Sequence, residues 1–491
     1  MPAVAAAIPI VLAVVLFFRG VRATRIAVWS LGVGIVVAVV FFPTAPSVVL
    51  GSLARFSPTI IEIMLILYAG VLLSRILSST GAMAAISGWL QTSAPSRRAG
   101  TVLVVFGLVP FAESVTGFGI GVTVGAPILR MLGHSVPRTT LFSLLGLLAV
   151  PWGALGPGTL LASELSGTSL TEVGVRSALL SLPAMLGAAV LLTFLLRHDG
   201  GAGRLFVGAA GSAVLLWLGI LGANLVVGTP LAGVLGSLVP IAVHLLVYRW
   251  RGSLVPAGEV VVRAAVPYAV MAGGLLAARG LTAQLEPNLF MRAASSPAIW
   301  LVVACLAAHF GPGQREGSAG RVEARLGHRA AAAYRSWRPV GIVTLCFTVL
   351  GSLLAATGMG AALGAALARM GGSYLILAPA VNALAGFITG SNTAANAMLT
   401  VTQAQVATDL GSSVLQIVAV TNVAASLATM AAPSRILLAY ELAQATPAPV
   451  GTAALGAAES ESLVNRWVLP RVFVLVAAVS LLLGLLTWWL D

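Results

Sequence analysis

The chain has 491 residues, 59% of them hydrophobic and only 8% charged, with a formal net charge of +13. Soluble domains are about 25% charged, so this composition excludes a water-soluble globule. Every Lys+Arg position is an Arg, and these arginines sit in short loops rather than on one face, which argues for membrane anchoring over nucleic-acid binding.

Apolar runs long enough for a membrane helix, about 17–25 residues, recur along the chain. Residues 3–18 predict the first span; no basic segment precedes them, unlike a cleaved signal. Residues 26–42 predict the second, and Arg19, Arg22 and Arg25 between them predict a cytoplasmic loop with the N-terminus outside. Ser57-Pro58 predicts a helix start, from which residues 59–74 run inward to Arg75 and leave Glu62 in the first turn. Arg97, Arg98, Arg197, Arg204, Arg249, Arg251 and Arg263 mark further cytoplasmic ends, flanking apolar runs at 205–221, 231–248 and 298–310. The stretch 311–338, rich in Gly, Arg and Glu, predicts a solvated cytoplasmic loop; residues 340–357 leave it outward, and 472–490 close the chain. The expectation is an all-α polytopic membrane protein of about 12 transmembrane helices plus re-entrant hairpins, with both termini outside. Cys305 and Cys346 have no ligand spacing, so neither a metal site, a disulfide framework nor a cofactor is expected.

The sequence matches itself at an offset of 277 residues (391 − 114). Thr80-Gly81 falls on Thr357-Gly358, Ser114-Val115-Thr116 on Ser391-Asn392-Thr393, and Leu160-Leu161-Ala162-Ser163-Glu164-Leu165 on Leu437-Leu438-Ala439-Tyr440-Glu441-Leu442. The charge rule sends the first unit inward and the second outward, which predicts inverted repeats with discontinuous helices around a central site. The expected divisions are 1–56, a two-helix segment; 57–198, the first repeat; 199–312, connecting scaffold helices; 313–338, the loop; and 339–491, the second repeat with the C-terminal helix.

In each unit an apolar helix stops at a polar, Gly-containing break, over 109–119 and 386–396. Such a break exposes N–H groups at a half-helix start, where the dipole favours a carboxylate, and irregular backbone is tolerated at membrane depth only where protein or water satisfies it. Ser114, Thr116, Gly117 and Gly119 in the first break and Ser391, Asn392, Thr393 and Asn396 in the second are the expected substrate-binding residues, facing each other across the repeat interface. Gly117, Gly121 and Gly125 stand four apart, on one face of an expected helix. Glu113 lies at expected membrane depth beside a break, where an unpaired carboxylate is neutral, and is the candidate proton carrier. Arg435, after the Ala432-Pro433-Ser434 break, either clamps a carboxylate or snorkels to the interface. Glu164 and Glu441 are expected at helix ends near an interface.

Three segments resemble the lactate permease family. Glu113-Ser114-Val115-Thr116-Gly117-Phe118-Gly119 is similar to its glutamate-plus-GFG segment, and Pro151-Trp152-Gly153-Ala154-Leu155-Gly156-Pro157 to its apolar-Gly-Ala-Leu-Gly segment. Phe387-Ile388-Thr389-Gly390-Ser391-Asn392-Thr393 is similar to its Phe-Leu-Thr-Gly-Ser-Asp-Thr run, and Gln403-Ala404 and Asn422 fit its pattern. The similarity runs from about Glu62 to about Ala439. It implies a proton symporter of L-lactate, glycolate or related 2-hydroxy monocarboxylates in a bacterial inner membrane, with the small acid, the proton and lipid as partners and a homodimer possible. Asn392 stands where the family usually has Asp, and the Lys usual shortly before Pro433 is missing, so a charge of each sign is lost together; Arg435 partly replaces the cation. The alternatives are a sodium-coupled or dicarboxylate carrier and, from another class, a membrane subunit of an ion-translocating respiratory complex, which the absence of Lys and rarity of His disfavour. No metal, Ser/His/Asp or Cys/His constellation suggests an enzyme.

Overall fold

The computed structural model describes residues 2–79, 81–117, 119, 121–197, 201–282, 294–310, 326–447 and 461–490. All regular structure in these residues is helical. The chain opens with α1 (Pro2–Phe18), α2 (Ala23–Phe41), α3 (Pro46–Ser79) and α4 (Ala82–Ser93). Next come α5 (Arg97–Thr116), which contains a π-helical turn at Val104–Leu108, then α6 (Gly121–Met131) and α7 (Val136–Leu145). A 3-10 segment (Leu147–Leu155) leads to α8 (Pro157–Ser166) and α9 (Leu170–Leu196), followed by α10 (Ala202–Val226), α11 (Thr229–Trp250), α12 (Glu259–Thr282) and α13 (Pro297–Phe310). The remainder comprises α14 (Leu326–Thr357), α15 (Met359–Ala368), α16 (Ser373–Thr389), α17 (Asn392–Leu410) and α18 (Val414–Ala428). A 3-10 turn (Thr429–Ala431), α19 (Pro433–Ala445) and α20 (Glu461–Leu490) complete it. Ten of these helices are long and apolar enough to cross a bilayer, and eleven if the segment pair around Gly156, bent by 44°, counts as one broken span.

Adding 277 to the bounds of α4 gives 359–370, where α15 occupies Met359–Ala368; adding it to those of α8 gives 434–443, where α19 occupies Pro433–Ala445. Gly81 and Gly358, one offset apart, both precede their helix in the left-handed conformation, at φ +73° and +76°. The packing follows the same exchange: α3 lies on α14, α13 on α3 and α2 on α14, α12 on α4 and α1 on α15. By these contacts the pair α2–α1 stands to α14 and α15 as the pair α13–α12 stands to α3 and α4.

Two expected boundaries change. Ser57-Pro58 does not start a helix, because Ser57 Oγ donates to Ala54 O at 2.8 Å and satisfies the carbonyl that the proline cannot reach. So α3 runs on from Pro46, the expected boundary at 56/57 falls inside it, and Glu62 is interior to the helix, where Ser296 Oγ donates to Glu62 Oε1 at 2.6 Å. In the expected loop, residues 311–325 lie outside the described residues, whereas 326–338 form the first turns of α14, held by buried Arg329 and by a 3.2 Å bond from the Tyr68 hydroxyl to Ala330 O.

Lipid tails are as apolar as side chains, so helices in a bilayer associate largely through close packing at small residues. At Gly386 of α16 a methyl would overlap the backbone of Ala425 in α18, whereas at Gly51 nothing lies within 4 Å. Gly386→Ala is therefore expected to destabilise the fold by about 1–3 kcal/mol and Gly51→Ala to stabilise it by about 0.5–1 kcal/mol. Unfolding midpoints in detergent moving in opposite directions would bear this out; equal shifts would show that α16 does not depend on that approach.

Candidate functional site

Both expected breaks are present. The π-helical turn of α5 lies just ahead of Pro110, whose ring cannot donate to the preceding turn, and widening the helix absorbs that defect. The helix ends at Gly117 (φ +67°), the chain passes through Gly119 (φ +78°), and α6 begins at Gly121. In the second unit α16 ends at Gly390 (φ +61°), and Ser391 caps α17 by accepting from Ala394 N at 3.3 Å.

Glu113 is buried, and its carboxylate folds forward over the break. Oε1 accepts from Gly119 N at 2.9 Å and Oε2 from Gly121 N at 3.1 Å, so the carboxylate occupies the anion position at the start of α6. Arg435, on the first turn of α19 and also buried, donates from Nη1 to Glu113 Oε1 at 3.4 Å. Its Nε and Nη2 donate to Gly390 O at 3.3 and 3.0 Å. One guanidinium thus ties the carboxylate of the first break to the carbonyl that ends α16 at the second. Gly119 is required twice over, since its φ disfavours any side chain and a methyl there would overlap the Arg435 guanidinium. These contacts show Glu113 paired rather than isolated, and of the two readings of Arg435 they favour the one that holds a carboxylate over the one that snorkels.

Ser114 and Thr116 do not face the second break. Their hydroxyls donate to Pro110 O and Ala112 O, at 2.7 and 2.5 Å, within their own helix. Ser114 lies against Gly233 of α11 and the Thr116 carbonyl against Gly70 of α3, so neighbouring helices cover that side. Gly117 does not share a face with Gly121 and Gly125 because it ends α5 and the next helix starts only at Gly121.

Asn392 and Asn396 enter a neutral amide cluster. Both donate to Asn422 Oδ1 at 2.8 Å, and Asn396 also donates to Gly158 O at 3.0 Å. Asn422 in turn donates to Thr159 Oγ1 at 3.1 Å and Ser177 Oγ at 3.0 Å. Gly158 stands one repeat offset from Arg435 (435 − 277), as Gly119 does from Asn396 (396 − 277). The two half-sites therefore exchange a glycine and a large polar side chain at matching positions. That offset was the signal by which Gly158 could have been found from sequence; Thr159 and Ser177 carried none. The backbone N–H of Thr393 lies against Gly158, and as first-turn groups of α17 the N–H groups of Asn392 and Thr393 have no intrahelical acceptor.

The 3-10 segment supplies the floor. Gly153 packs on the Glu113 side chain, and Leu155 is held at φ +66°, a costly value for a branched residue that persists only when its surroundings impose it. A cavity of about 640 Å³ reaches the second break, bordered by Arg22, Pro339, Thr389, Ser391, Arg435 and Glu441. Glu164 and Glu441 are exposed near the ends of their helices, as expected.

The family model described as L-lactate permease matches residues 2–256 and 324–486. A Streptococcus iniae protein named L-lactate permease is 24% identical over 394 residues, covering 73% of this chain and 80% of that protein. The crystal structure of the Alcanivorax borkumensis YdaH transporter superposes with a TM-score of 0.48 at 15% identity, over 94% of this chain and 98% of that one.

Proposed function

Because the chain belongs to the L-lactate permease family, and so is a transporter rather than an enzyme, we propose that it carries L-lactate or a related 2-hydroxy monocarboxylate, such as glycolate, together with a proton across the bacterial inner membrane. One observation carries the reading. In the first repeat the N-terminus after the break is filled by the protein's own carboxylate, Glu113, whereas the residue one offset on (113 + 277) is Gly390. Among the described residues no carboxylate bonds to the start of α17, which Ser391 caps, and it lies beside Arg435 and the cavity. A substrate carboxylate supplies the missing charge there, with Ser391, which borders the cavity, beside its 2-hydroxyl.

Coupling follows from competition. While Glu113 holds Arg435 Nη1, the guanidinium is committed; a proton on Glu113 weakens that pair and frees Arg435 for the substrate, so proton and carboxylate bind together. A single cation between the breaks fits one carboxylate better than two. With the Arg-rich loops in the cytoplasm and both termini outside, the cavity, bordered by Arg22 and Pro339 close to those loops, opens inward. Inverted repeats account for how the opening passes to the other face.

Uptake of labelled L-lactate into proteoliposomes should follow an imposed pH gradient with or without sodium; strict dependence on sodium would overturn proton coupling. Ser434→Cys, introduced with Cys305 and Cys346 replaced, should react with a polar thiol reagent from the cytoplasmic side, and L-lactate should slow the reaction several-fold. Labelling only from outside, or indifference to lactate, would remove the cavity from the substrate path.

A further inference from the structure

A second cavity, of about 710 Å³, lies between the start of α5, the start of α10 and the end of α11, away from both breaks. Arg98 from α5, Arg204 from α10 and Arg251 just past α11 border it. No described carboxylate pairs with any of the three. They converge because α10 begins where α11 ends and α5 begins at the same end of the bundle, so three separate elements place cations around one opening. The cavity walls are apolar, with Val102, Leu205, Leu215 and Val247 along them. Ser96, Ser212, His244 and Tyr248 are the uncharged polar side chains that line it; Tyr248 is buried, and its hydroxyl has no partner among the described residues.

We infer that this cavity binds an anionic phospholipid, with the headgroup phosphate between Arg98, Arg204 and Arg251 and an acyl chain along the groove between α10 and α11. Guanidinium groups match phosphate oxygens in pairs, and basic pockets between membrane helices are suited to acidic headgroups. The length of apolar wall behind the arginines favours a lipid over a free phosphate, which would leave the groove unfilled. The polar groups on the wall fit the glycerol and ester oxygens. Gly208 and Gly211 keep the groove open, since nothing lies within 4 Å of a methyl built at either.

The test is native mass spectrometry of the full chain, delipidated in detergent and then titrated with phosphatidylglycerol, phosphatidylcholine or inorganic phosphate. Wild type should retain one phosphatidylglycerol in preference to phosphatidylcholine. The triple variant Arg98→Gln/Arg204→Gln/Arg251→Gln should weaken that binding tenfold or more, while Arg25→Gln/Arg55→Gln/Arg369→Gln, which removes the same charge at exposed positions elsewhere, should change it less than twofold. Gly211→Leu, which fills the groove and raises helix propensity, should also weaken retention several-fold with the arginines intact. Equal loss in the two triple variants would overturn the site in favour of diffuse charge attraction. Insensitivity to Gly211→Leu, or complete displacement by millimolar inorganic phosphate, would overturn the lipid in favour of a free phosphate.

Discussion

Replacing Arg435 by Gln is expected to lower L-lactate uptake and counterflow exchange alike by about 100-fold or more. The guanidinium is buried and serves three acceptors: the Glu113 carboxylate, the Gly390 carbonyl and, in the proposed mechanism, the substrate. Removing one member of a buried ion pair costs about 3–5 kcal/mol, because the other charge is left uncompensated, and about 1.4 kcal/mol corresponds to tenfold in affinity. Part of that cost would fall on folding, so the informative companion is Glu113→Gln/Arg435→Gln, in which both charges are gone. The double variant should recover the wild-type unfolding midpoint to within a few degrees yet still fail to bind lactate. Recovery of transport along with stability would reduce Arg435 to a structural counter-ion and leave the substrate carboxylate to the start of α17 alone.

Glu113→Gln should separate binding from coupling. An amide can still accept from Gly119 or Gly121, so the break keeps much of its support, but it cannot take up a proton and it competes weakly for Arg435. Counterflow exchange should therefore persist while accumulation driven by a pH gradient disappears. The pH dependence of binding supplies a second readout. If one proton enters with each lactate, apparent affinity in the wild type weakens by about tenfold per pH unit wherever the empty carrier holds the ion pair. In the variant that slope should flatten, and affinity at alkaline pH should exceed that of the wild type, because protonation is no longer needed to free the guanidinium. Retained gradient-driven accumulation would exclude Glu113 as the coupling group.

What the sequence by itself determined is what depends on local composition and period. Apolar length fixed the spans, because a helix must cover the hydrocarbon core with residues that need no water. The clustered Gly, Ser, Thr and Asn at 113–119 and 389–396 marked the breaks, because these residues end or cap helices wherever they stand. The offset of 277 pointed to a repeat, and Glu113 and Arg435 stood out as charges in apolar surroundings. The tertiary structure alone decided what these residues touch. No local rule places Arg435 over Gly119, more than 300 residues earlier (435 − 119), or turns the Ser114 and Thr116 hydroxyls back into their own helix while α3 and α11 cover that side. Neither could the sequence reveal that Glu113 fills the anion position of its own break, while at the matching position stands Gly390, which has no side chain. A charge in a chain is only a cost to be met, and which partner meets it is settled when helices distant in sequence are brought within hydrogen-bond reach.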